Sequence, residues 1–253
     1  MKLTGKVVLV TGANRGIGAA LVNALVARDV AKVYAGARNP ASLADAQRRH
    51  GERIVPVQLD VTSDDDRRAA AVRCRDLDIL VSNAGLAPAG PVLGTDEATC
   101  RETFEVNVFG PLALLRQLAP VLRERRGGVL FINSLTGLVV SRSSPVYGAS
   151  KAAVRMLALG VRQELRGDGV VVTTSHPGFV DTDMAERIPY PKATPEEVAE
   201  RSLDGLEAEA TVVFPDRLAE LVEQALIGRA AEVLDEPQRL MTELVDQLRD
   251  ALA

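Results

Sequence analysis

The chain has 253 residues, of which 47% are hydrophobic and 25% are charged, so it can bury the core of one large α/β domain. Its formal net charge of −4 is unevenly distributed, because residues 194–253 carry −10 and the rest of the chain carries +6. The chain has no lysine- or arginine-rich stripe, 3% aromatic residues and no tryptophan. This composition argues against nucleic acid as a partner.

The two cysteines, Cys74 and Cys100, have neither metal-site spacing nor a nearby histidine, so the sequence predicts no disulfide framework and no metal site. The apolar run in the N-terminal "MKLTGKVVLVTG" is too short for a signal peptide, and no run of about 18 apolar residues follows. We therefore expect a soluble, cytoplasmic protein without a membrane partner.

Short apolar runs alternate along the chain with segments of helix length. The runs are "KVVLV", "AKVYAGA", "IVPVQLDV", "LDILVSN", "GVLFINS", "GVVVTTSHP" and, more weakly, "ATVVF". Because they are apolar on both faces, they predict a parallel sheet covered by helices on both sides, the doubly wound Rossmann-type α/β fold. We predict one domain over residues 1–253: a core to about residue 177, a substrate loop and helices over 178–228, and a small helical tail over 229–253.

The first predicted strand leads directly into the turn "TGANRGIGAALVNALV". Glycines at such a turn let the backbone bend tightly and approach a pyrophosphate at the positive end of the following helix. Their spacing is GxxxGxG rather than GxGxxG, and glycines alone would also permit a simple turn. The turn residues expected to contact a dinucleotide are Gly12, Asn14, Arg15, Gly16, Ile17 and Gly18.

The second predicted strand ends in "VYAGARNP", with Arg38 where an NAD-binding fold usually has an acidic residue. An arginine there accommodates a 2′-phosphate, and Arg15 in the glycine turn is placed to reach the same group. The alternative is that both are solvated surface arginines. We predict NADP(H) as the cofactor.

The segment "SSPVYGASKAAV" predicts a helix that begins at Pro145, with Ser144 available as its N-cap. Tyr147 and Lys151 would then lie on one face, since residues i and i+4 stack. A tyrosine needs its pKa lowered by about 3 units, or about 4 kcal/mol, to exchange protons near neutrality. An ammonium about 5 Å away supplies about 3 kcal/mol at an effective dielectric of 20. The same ammonium supplies under about 1 kcal/mol in bulk water, so we expect Lys151 to lower the pKa of Tyr147 only if the site is sheltered from water.

Two features lie towards the C-terminus. Residues 178–195 alternate prolines with apolar side chains, which predicts a loop over the carboxyl ends of the strands. Leu240, Leu244, Val245 and Leu248 form one helical stripe, for which packing against the body is favoured over a subunit contact. His176 ends a strand just before Pro177, and a structural role is favoured over a catalytic one.

Together these motifs resemble the classical short-chain dehydrogenase/reductase family over about residues 6–184. The matching residues are Thr11, Gly12, Gly16 and Gly18 of TGxxxGxG, Asp60 and Val61 of "LDVT", and Asn83, Ala84 and Gly85 of "SNAG". Ser82 stands where the family usually has a first asparagine. The resemblance implies that Asp60 and Val61 flank the adenine, that Asn83 braces the strands, and that Pro177, Gly178, Val180 and Thr182 of "HPGFVDT" lie at the nicotinamide.

The family's catalytic tetrad maps by resemblance onto Asn107, Ser134, Tyr147 and Lys151. Hydride from the nicotinamide would reduce a carbonyl while Tyr147 protonates the oxygen, which Ser134 holds. Lys151 would also hold the nicotinamide ribose, and Asn107 would support a water relay. Taken singly, Ser134 could instead cap a turn, Asn107 could mark a helix kink and Tyr147 could be a packed aromatic side chain.

The predicted pocket walls, residues 86–93, 135–140 and 179–190, are mainly apolar and favour an apolar ketone or aldehyde. The leading hypothesis is an NADPH-dependent carbonyl reductase that also runs as an alcohol dehydrogenase. The rival is a cofactor-sensing or scaffolding protein whose acidic C-terminal region binds a partner. The family resemblance implies a homodimer or homotetramer formed through the helices that carry Asn107 and Tyr147.

Overall fold

The computed structural model describes residues 1–228 and 237–252, and its centre is a seven-stranded, fully parallel sheet. The strands are β1 (Val7–Thr11), β2 (Lys32–Ala37), β3 (Ile54–Gln58), β4 (Ile79–Ser82), β5 (Gly128–Ile132), β6 (Val171–Ser175) and β7 (Val212–Val213). Their order in the sheet is β3-β2-β1-β4-β5-β6-β7. The predicted doubly wound fold is confirmed.

Nine α-helices are described in these residues. They are α1 (Gly16–Ala27), α2 (Ala44–His50), α3 (Asp64–Arg73), α4 (Glu97–Phe104), α5 (Gly110–Glu124), α6 (Pro145–Leu165), α7 (Pro195–Glu207), α8 (Arg217–Gly228) and α9 (Pro237–Leu252). Of the predicted tail, residues 229–236 and 253 lie outside the described residues. None of the described helices is both long and apolar enough to cross a membrane.

Two apolar cores cover the sheet. One packs the sheet against α1 and α7, and the other packs it against α5 and α6. Strands β1, β2, β4, β5 and β6 are almost entirely buried, as expected for a sheet covered on both faces, whereas the edge strand β3 is only partly buried. The weakly predicted run "ATVVF" contributes only the two residues of β7.

The strand order reverses between β1 and β4, because the chain moves outward to β2 and β3 before it returns to β4. A crevice opens at such a switch point beside the carboxyl ends of the two strands. The glycine turn, the "SNAG" segment and the end of β5 meet at this edge of the sheet.

The predicted C-terminal stripe is buried within the chain. Leu240, Leu244, Val245 and Leu248 of α9 join a third apolar cluster with α8. The same cluster includes Leu135 and Val139, which follow β5, and Phe179, which follows β6, packs against it. The helix therefore packs against the body, and it does so beside the loops at the carboxyl ends of the strands.

Candidate active site

The glycine turn has a backbone that side chains would disrupt. Gly12 and Gly16 have φ angles of +64° and +52°, in the left-handed region that favours glycine. A Cβ atom on Gly18 would clash with the carbonyl oxygen of Gly12 and lie 2.7 Å from Nδ2 of Asn83. Since α1 begins at Gly16 and no side chain caps it, the N–H groups of its first turn are available to a ligand, and the bare turn forms a cradle that fits a pyrophosphate.

Hydrogen bonds join the ends of β1 and β4 at the floor of the crevice. The Asn83 side chain donates from Nδ2 to the carbonyl oxygens of Thr11 and Gly12, at 2.9 and 3.1 Å. The Thr11 hydroxyl accepts from the backbone N–H groups of Asn83 and Ala84, at 2.9 and 3.0 Å. Asn83 thus braces the two strands by geometry, in agreement with the role that the resemblance implied.

The two predicted NADP-selecting arginines are both exposed and both have acidic neighbours. Arg15 pairs with Asp183 across the crevice at 2.5 Å. Burial acts against ionisation of Asp60, but hydrogen bonds from Thr62 and the nearby charge of Arg38 keep the pKa of Asp60 below its ordinary value. Arg38 therefore lies close to Asp60, at the end of β2 where the ribose of a dinucleotide is expected.

Asn107 lies in a π-helical turn, Glu105–Phe109, between α4 and α5. Such turns are rare and mark functional positions in many helices. The turn directs the side chain inward, where Nδ2 donates to the Leu86 carbonyl at 2.8 Å and to Ser150 Oγ at 2.9 Å, and Oδ1 accepts from the Leu86 N–H at 2.8 Å. The π-helical turn places Asn107 beside Gly85, where a Cβ atom on the glycine would lie 3.4 Å from Oδ1 of Asn107.

Helix α6 begins at Pro145 as predicted, although the Ser144 side chain does not cap it. Lys151 is buried, and its Nζ donates to the Ile132 carbonyl at 3.0 Å and lies 5.6 Å from the centroid of the Tyr147 ring. The Ser134 side chain lies close enough to the Tyr147 hydroxyl to favour its ionised form. The Ser134 hydroxyl also accepts from the N–H and hydroxyl of Thr136, at 3.2 and 3.0 Å.

The prediction that the pKa of Tyr147 is lowered is wrong. Burial raises the pKa of Tyr147 to about 12, against a smaller opposing effect of the hydrogen bond with Ser134. Burial also lowers the pKa of Lys151 to about 8. The prediction counted the charge of Lys151 in a sheltered site but left out the desolvation of each group, which is the largest cause of both pKa shifts. The structure therefore holds a protonated phenol next to a lysine that titrates just above neutrality.

The segment after β6 closes the other side of the crevice. A Cβ atom on Gly16 would lie 3.0 Å from Cγ2 of Thr182, so Thr182 reaches the glycine turn. The Gly178 N–H donates to the buried carboxylate of Asp216 at 2.7 Å, and the Ala219 N–H donates to the same group at 2.9 Å. Asp216 ties the Pro177–Gly178 turn to the start of α8.

The apolar loop after Gly178 faces the C-terminal helices. Phe179 and Tyr190 stack with ring centroids 5.4 Å apart, and the Arg249 guanidinium of α9 lies 5.9 Å from the Tyr190 centroid. A short bridge between Val180 and Ala193 closes the base of this loop. Loop and helix together form an apolar wall next to the end of β5.

The structure therefore gathers most of the predicted residues around one crevice. Asn107 is linked through the Ser150 hydroxyl to the Tyr147 carbonyl, and Lys151 and Ser134 both lie near the Tyr147 side chain. Sequence reasoning missed Thr136, Asp183 and Asp216 as partners of site residues. Asp216 had a detectable signal, since an aspartate before a periodic apolar segment is typical of a helix N-cap.

Comparisons with known proteins agree with this arrangement. The family model described as short chain dehydrogenase matches residues 6–192. A Saccharomyces cerevisiae protein described as NADPH-dependent 1-acyldihydroxyacetone phosphate reductase is 33% identical over 196 residues, which cover 75% of this chain and 66% of the relative. Ketoacyl reductase HetN from Nostoc sp. is also 33% identical, over 84% of this chain and 79% of the relative.

Among solved structures, a short chain dehydrogenase from Burkholderia cenocepacia J2315, in complex with NADP, matches with a TM-score of 0.87 at 36% identity. The match covers 92% of this chain and 99% of that chain. A short-chain dehydrogenase from Sphingobium yanoikuyae, in complex with NADPH, matches with a TM-score of 0.79 at 25% identity over 91% of this chain and 96% of that one. Because the family model spans most of its length, this chain belongs to the short-chain dehydrogenase family of oxidoreductases.

Proposed function

We propose that the protein is an NADPH-dependent reductase that converts a ketone or aldehyde to an alcohol, and that it also runs in reverse. The observation that carries the proposal is the placement of Tyr147, Ser134 and Lys151 beside a glycine cradle at the switch point of the sheet. A phenol, a hydroxyl and an ammonium in that position suit an oxygen that becomes negatively charged during reduction.

The chain's residues fit a dinucleotide along the whole crevice. The bare turn at Gly12, Gly16 and Gly18 would take the pyrophosphate, and Arg38 near Asp60 would take the adenosine end. The Pro177–Thr182 segment would hold the carboxamide, and Lys151 would hold the adjacent ribose. The nicotinamide supplies the hydride when it is bound.

The protein's own part in the reaction is to orient the carbonyl and deliver a proton. Tyr147 remains protonated at neutral pH because its pKa is about 12, so its hydroxyl is available as a donor. Ser134 is placed to donate a hydrogen bond to the same substrate oxygen. Lys151 contributes positive charge near the phenol, which lowers the cost of leaving Tyr147 ionised after proton transfer.

Selection of NADP(H) over NAD(H) is assigned to Arg38, with Arg15 as its partner. No acidic side chain follows β2 directly, and a charge-assisted contact from Arg38 to a 2′-phosphate would contribute about 1.5 to 3 kcal/mol. The yeast relative described as NADPH-dependent and the Burkholderia structure with NADP support this choice.

An apolar carbonyl compound is the proposed substrate class. Phe179, Tyr190, Leu138 and Val139 supply an apolar wall beside Ser134. Two of the relatives, the acyldihydroxyacetone phosphate reductase and the ketoacyl reductase, have names that describe reduction of keto compounds with acyl chains. A cofactor-sensing or scaffolding role is not favoured, because such a protein has no need of the proton donor that Tyr147 provides.

We also propose a homo-oligomer formed through α5 and α6. Phe109 and Met156 expose 53% and 63% of their surface, and Leu157 lines a shallow groove with Pro111 and Val161. An apolar face on two adjacent helices is suited to burial against the same face of a second copy.

Tyr147→Phe tests the reaction. We expect the variant to lose more than about 99% of its ketone reductase activity, followed as loss of NADPH absorbance, and to bind NADPH as the parent does. Tyr34→Phe is the matched control, because its hydroxyl bonds to Lys32 and Asp76 near the amino ends of the strands. Equal turnover by Tyr147→Phe and the parent would remove the proposed mechanism.

Arg38→Asp tests cofactor selection. Removing the cation and adding a carboxylate should weaken the binding of NADPH by about 10-fold or more and improve the relative use of NADH. Arg53→Asp makes the same charge change just before β3, at the opposite end of the strands, and should leave the preference unchanged. Equal NADPH-to-NADH ratios of kcat/KM in the parent and Arg38→Asp would show that Arg38 is only a surface residue.

A further inference from the structure

His176 is fully buried directly after β6 and contacts the residue that holds the substrate oxygen. Its Nδ1 lies 3.2 Å from the carbonyl oxygen of Ser134, 42 residues earlier in the chain. We propose that His176 is a positioning residue for the reaction: together with Pro177 it clamps the peptide group between Ser134 and Leu135 and thereby directs the Ser134 hydroxyl. This inference rests on the proposed reductase function.

The clamp holds both sides of one peptide group. On one side, Nδ1–H of His176 donates to the Ser134 carbonyl, which also accepts from the Gly137 N–H at 3.1 Å. On the other side, the Leu135 N–H donates to the Pro177 carbonyl at 3.0 Å. Because the peptide cannot rotate without breaking these bonds, the direction in which the Ser134 side chain leaves the backbone is set by residues 176 and 177.

The imidazole is itself rigidly held. Its ring stacks on Phe214 with centroids 5.8 Å apart and an interplanar angle of 29°, and its backbone N–H donates to the Val213 carbonyl at 2.8 Å. Burial lowers the pKa of His176 to about 4; the hydrogen bond with Ser134 opposes this shift, and the nearby charges of Arg155 and Lys151 add to it. The ring therefore stays neutral, and the carbonyl of Ser134 selects the tautomer with the proton on Nδ1.

The second ring nitrogen, Nε2, indicates that folding stability alone does not explain why a histidine occupies position 176. Nε2 is buried and finds no hydrogen-bond partner within residues 1–228 and 237–252. An unpaired buried acceptor destabilises the folded state, whereas an apolar ring of similar size would not carry that cost. The contribution that an apolar residue cannot replace is the hydrogen bond from Nδ1 to the backbone of Ser134.

The clamp also couples two parts of the site. Pro177 leads into Gly178, whose N–H is held by Asp216, so the proposed nicotinamide turn and the Ser134 turn are fixed by one short segment. A reacting carbonyl must sit between the hydride donor and the Ser134 hydroxyl, and a misplacement of about 1 Å lowers rates by about 100-fold in other enzymes. His176 would thus keep the Ser134 turn and the Pro177–Gly178 turn in a fixed position relative to each other.

The test compares His176→Asn with His176→Phe and His176→Leu. The side-chain NH₂ of asparagine can replace Nδ1–H as a donor, so we expect kcat within about threefold of the parent. The Phe and Leu variants lose the donor, and we expect kcat about 10- to 100-fold lower, an unchanged Kd for NADPH and a Tm equal to or above that of the parent. Wild-type kcat in a folded Phe or Leu variant would overturn the inference, as would equal losses in all three variants.

A double-mutant cycle between His176 and Ser134 separates a positioning role from general structural damage. In a Ser134→Ala background, measured at high enzyme concentration, His176→Phe should lower kcat by less than about threefold, because the group it positions is gone. Persistence of the full 10- to 100-fold loss would overturn the inference. Folding of His176→Asn but of neither apolar variant would assign the imidazole to folding and overturn it too.

Failure of the inference differs from failure of the proposed function. A parent protein that binds NADPH but reduces no carbonyl compound would remove the proposed function itself. A parent that reduces ketones normally while His176→Phe matches it would remove only the role of His176.

Discussion

Replacement of Gly18 by alanine should weaken NADPH binding, although alanine is the better helix former by about 1 kcal/mol. A Cβ atom at this position would clash with the carbonyl oxygen of Gly12 and lie 2.7 Å from Nδ2 of Asn83. To reach ordinary van der Waals distances, the start of α1 and the Gly12 turn must separate by about 1.4 Å. That movement misaligns the N–H groups that face the pyrophosphate, and loss of one charge-assisted bond costs about 1.5 to 3 kcal/mol.

The expected result is a Kd for NADPH that rises by about 10- to 150-fold in Gly18→Ala, measured by fluorescence titration of protein whose fold is verified by circular dichroism. Gly160→Ala is the matched control, because Gly160 also lies in a helix but has open space where its Cβ would be. The control should bind NADPH within about twofold of the parent. Parent-like affinity in folded Gly18→Ala would refute the assignment of the glycine cradle to the pyrophosphate.

Two further predictions concern Lys151 and the C-terminal helix α9. Because the pKa of Lys151 is lowered to about 8, raising the pH through that value removes its charge, so kcat for ketone reduction with NADPH should fall above about pH 8; a flat profile to pH 9.5 would contradict this. Leu244→Ala should lower the free energy of unfolding by about 2 to 5 kcal/mol in denaturant titrations, since Leu244 is only 4% exposed. Ile227→Ala on the neighbouring α8, where the side chain is 83% exposed, should change it by less than about 0.5 kcal/mol; similar losses in the two variants would contradict burial of the stripe.

Features that depend on residues close together in the chain could be predicted from the sequence. The alternation of apolar runs with helical segments predicted the parallel sheet, since strands buried on both faces need apolar residues at every position. The four-residue spacing of Tyr147 and Lys151 predicted one shared face, because helix geometry alone brings i and i+4 together. The glycine turn was predicted for the same reason: the steric limits on its backbone are local.

Hydrogen-bond and ion-pair partners that are distant along the chain could not be predicted. Arg15 and Asp183 are 168 residues apart, His176 and Ser134 are 42 apart, and Gly178 and Asp216 are 38 apart. No periodicity links such positions, since only the order of strands in the sheet brings them to the same edge. The expectation of a structural His176 left open which group it contacts, and the structure places its Nδ1 3.2 Å from the backbone carbonyl of Ser134.

The amino-acid sequence by itself determined the doubly wound fold, the position of the glycine turn and the common face of Tyr147 and Lys151, because each depends on the conformational limits of a few neighbouring residues. Only the tertiary structure decided the pKa values of that pair and the clamp on Ser134. Desolvation and long-range hydrogen bonds depend on which segments pack together, and burial raises the pKa of Tyr147 while it lowers that of Lys151.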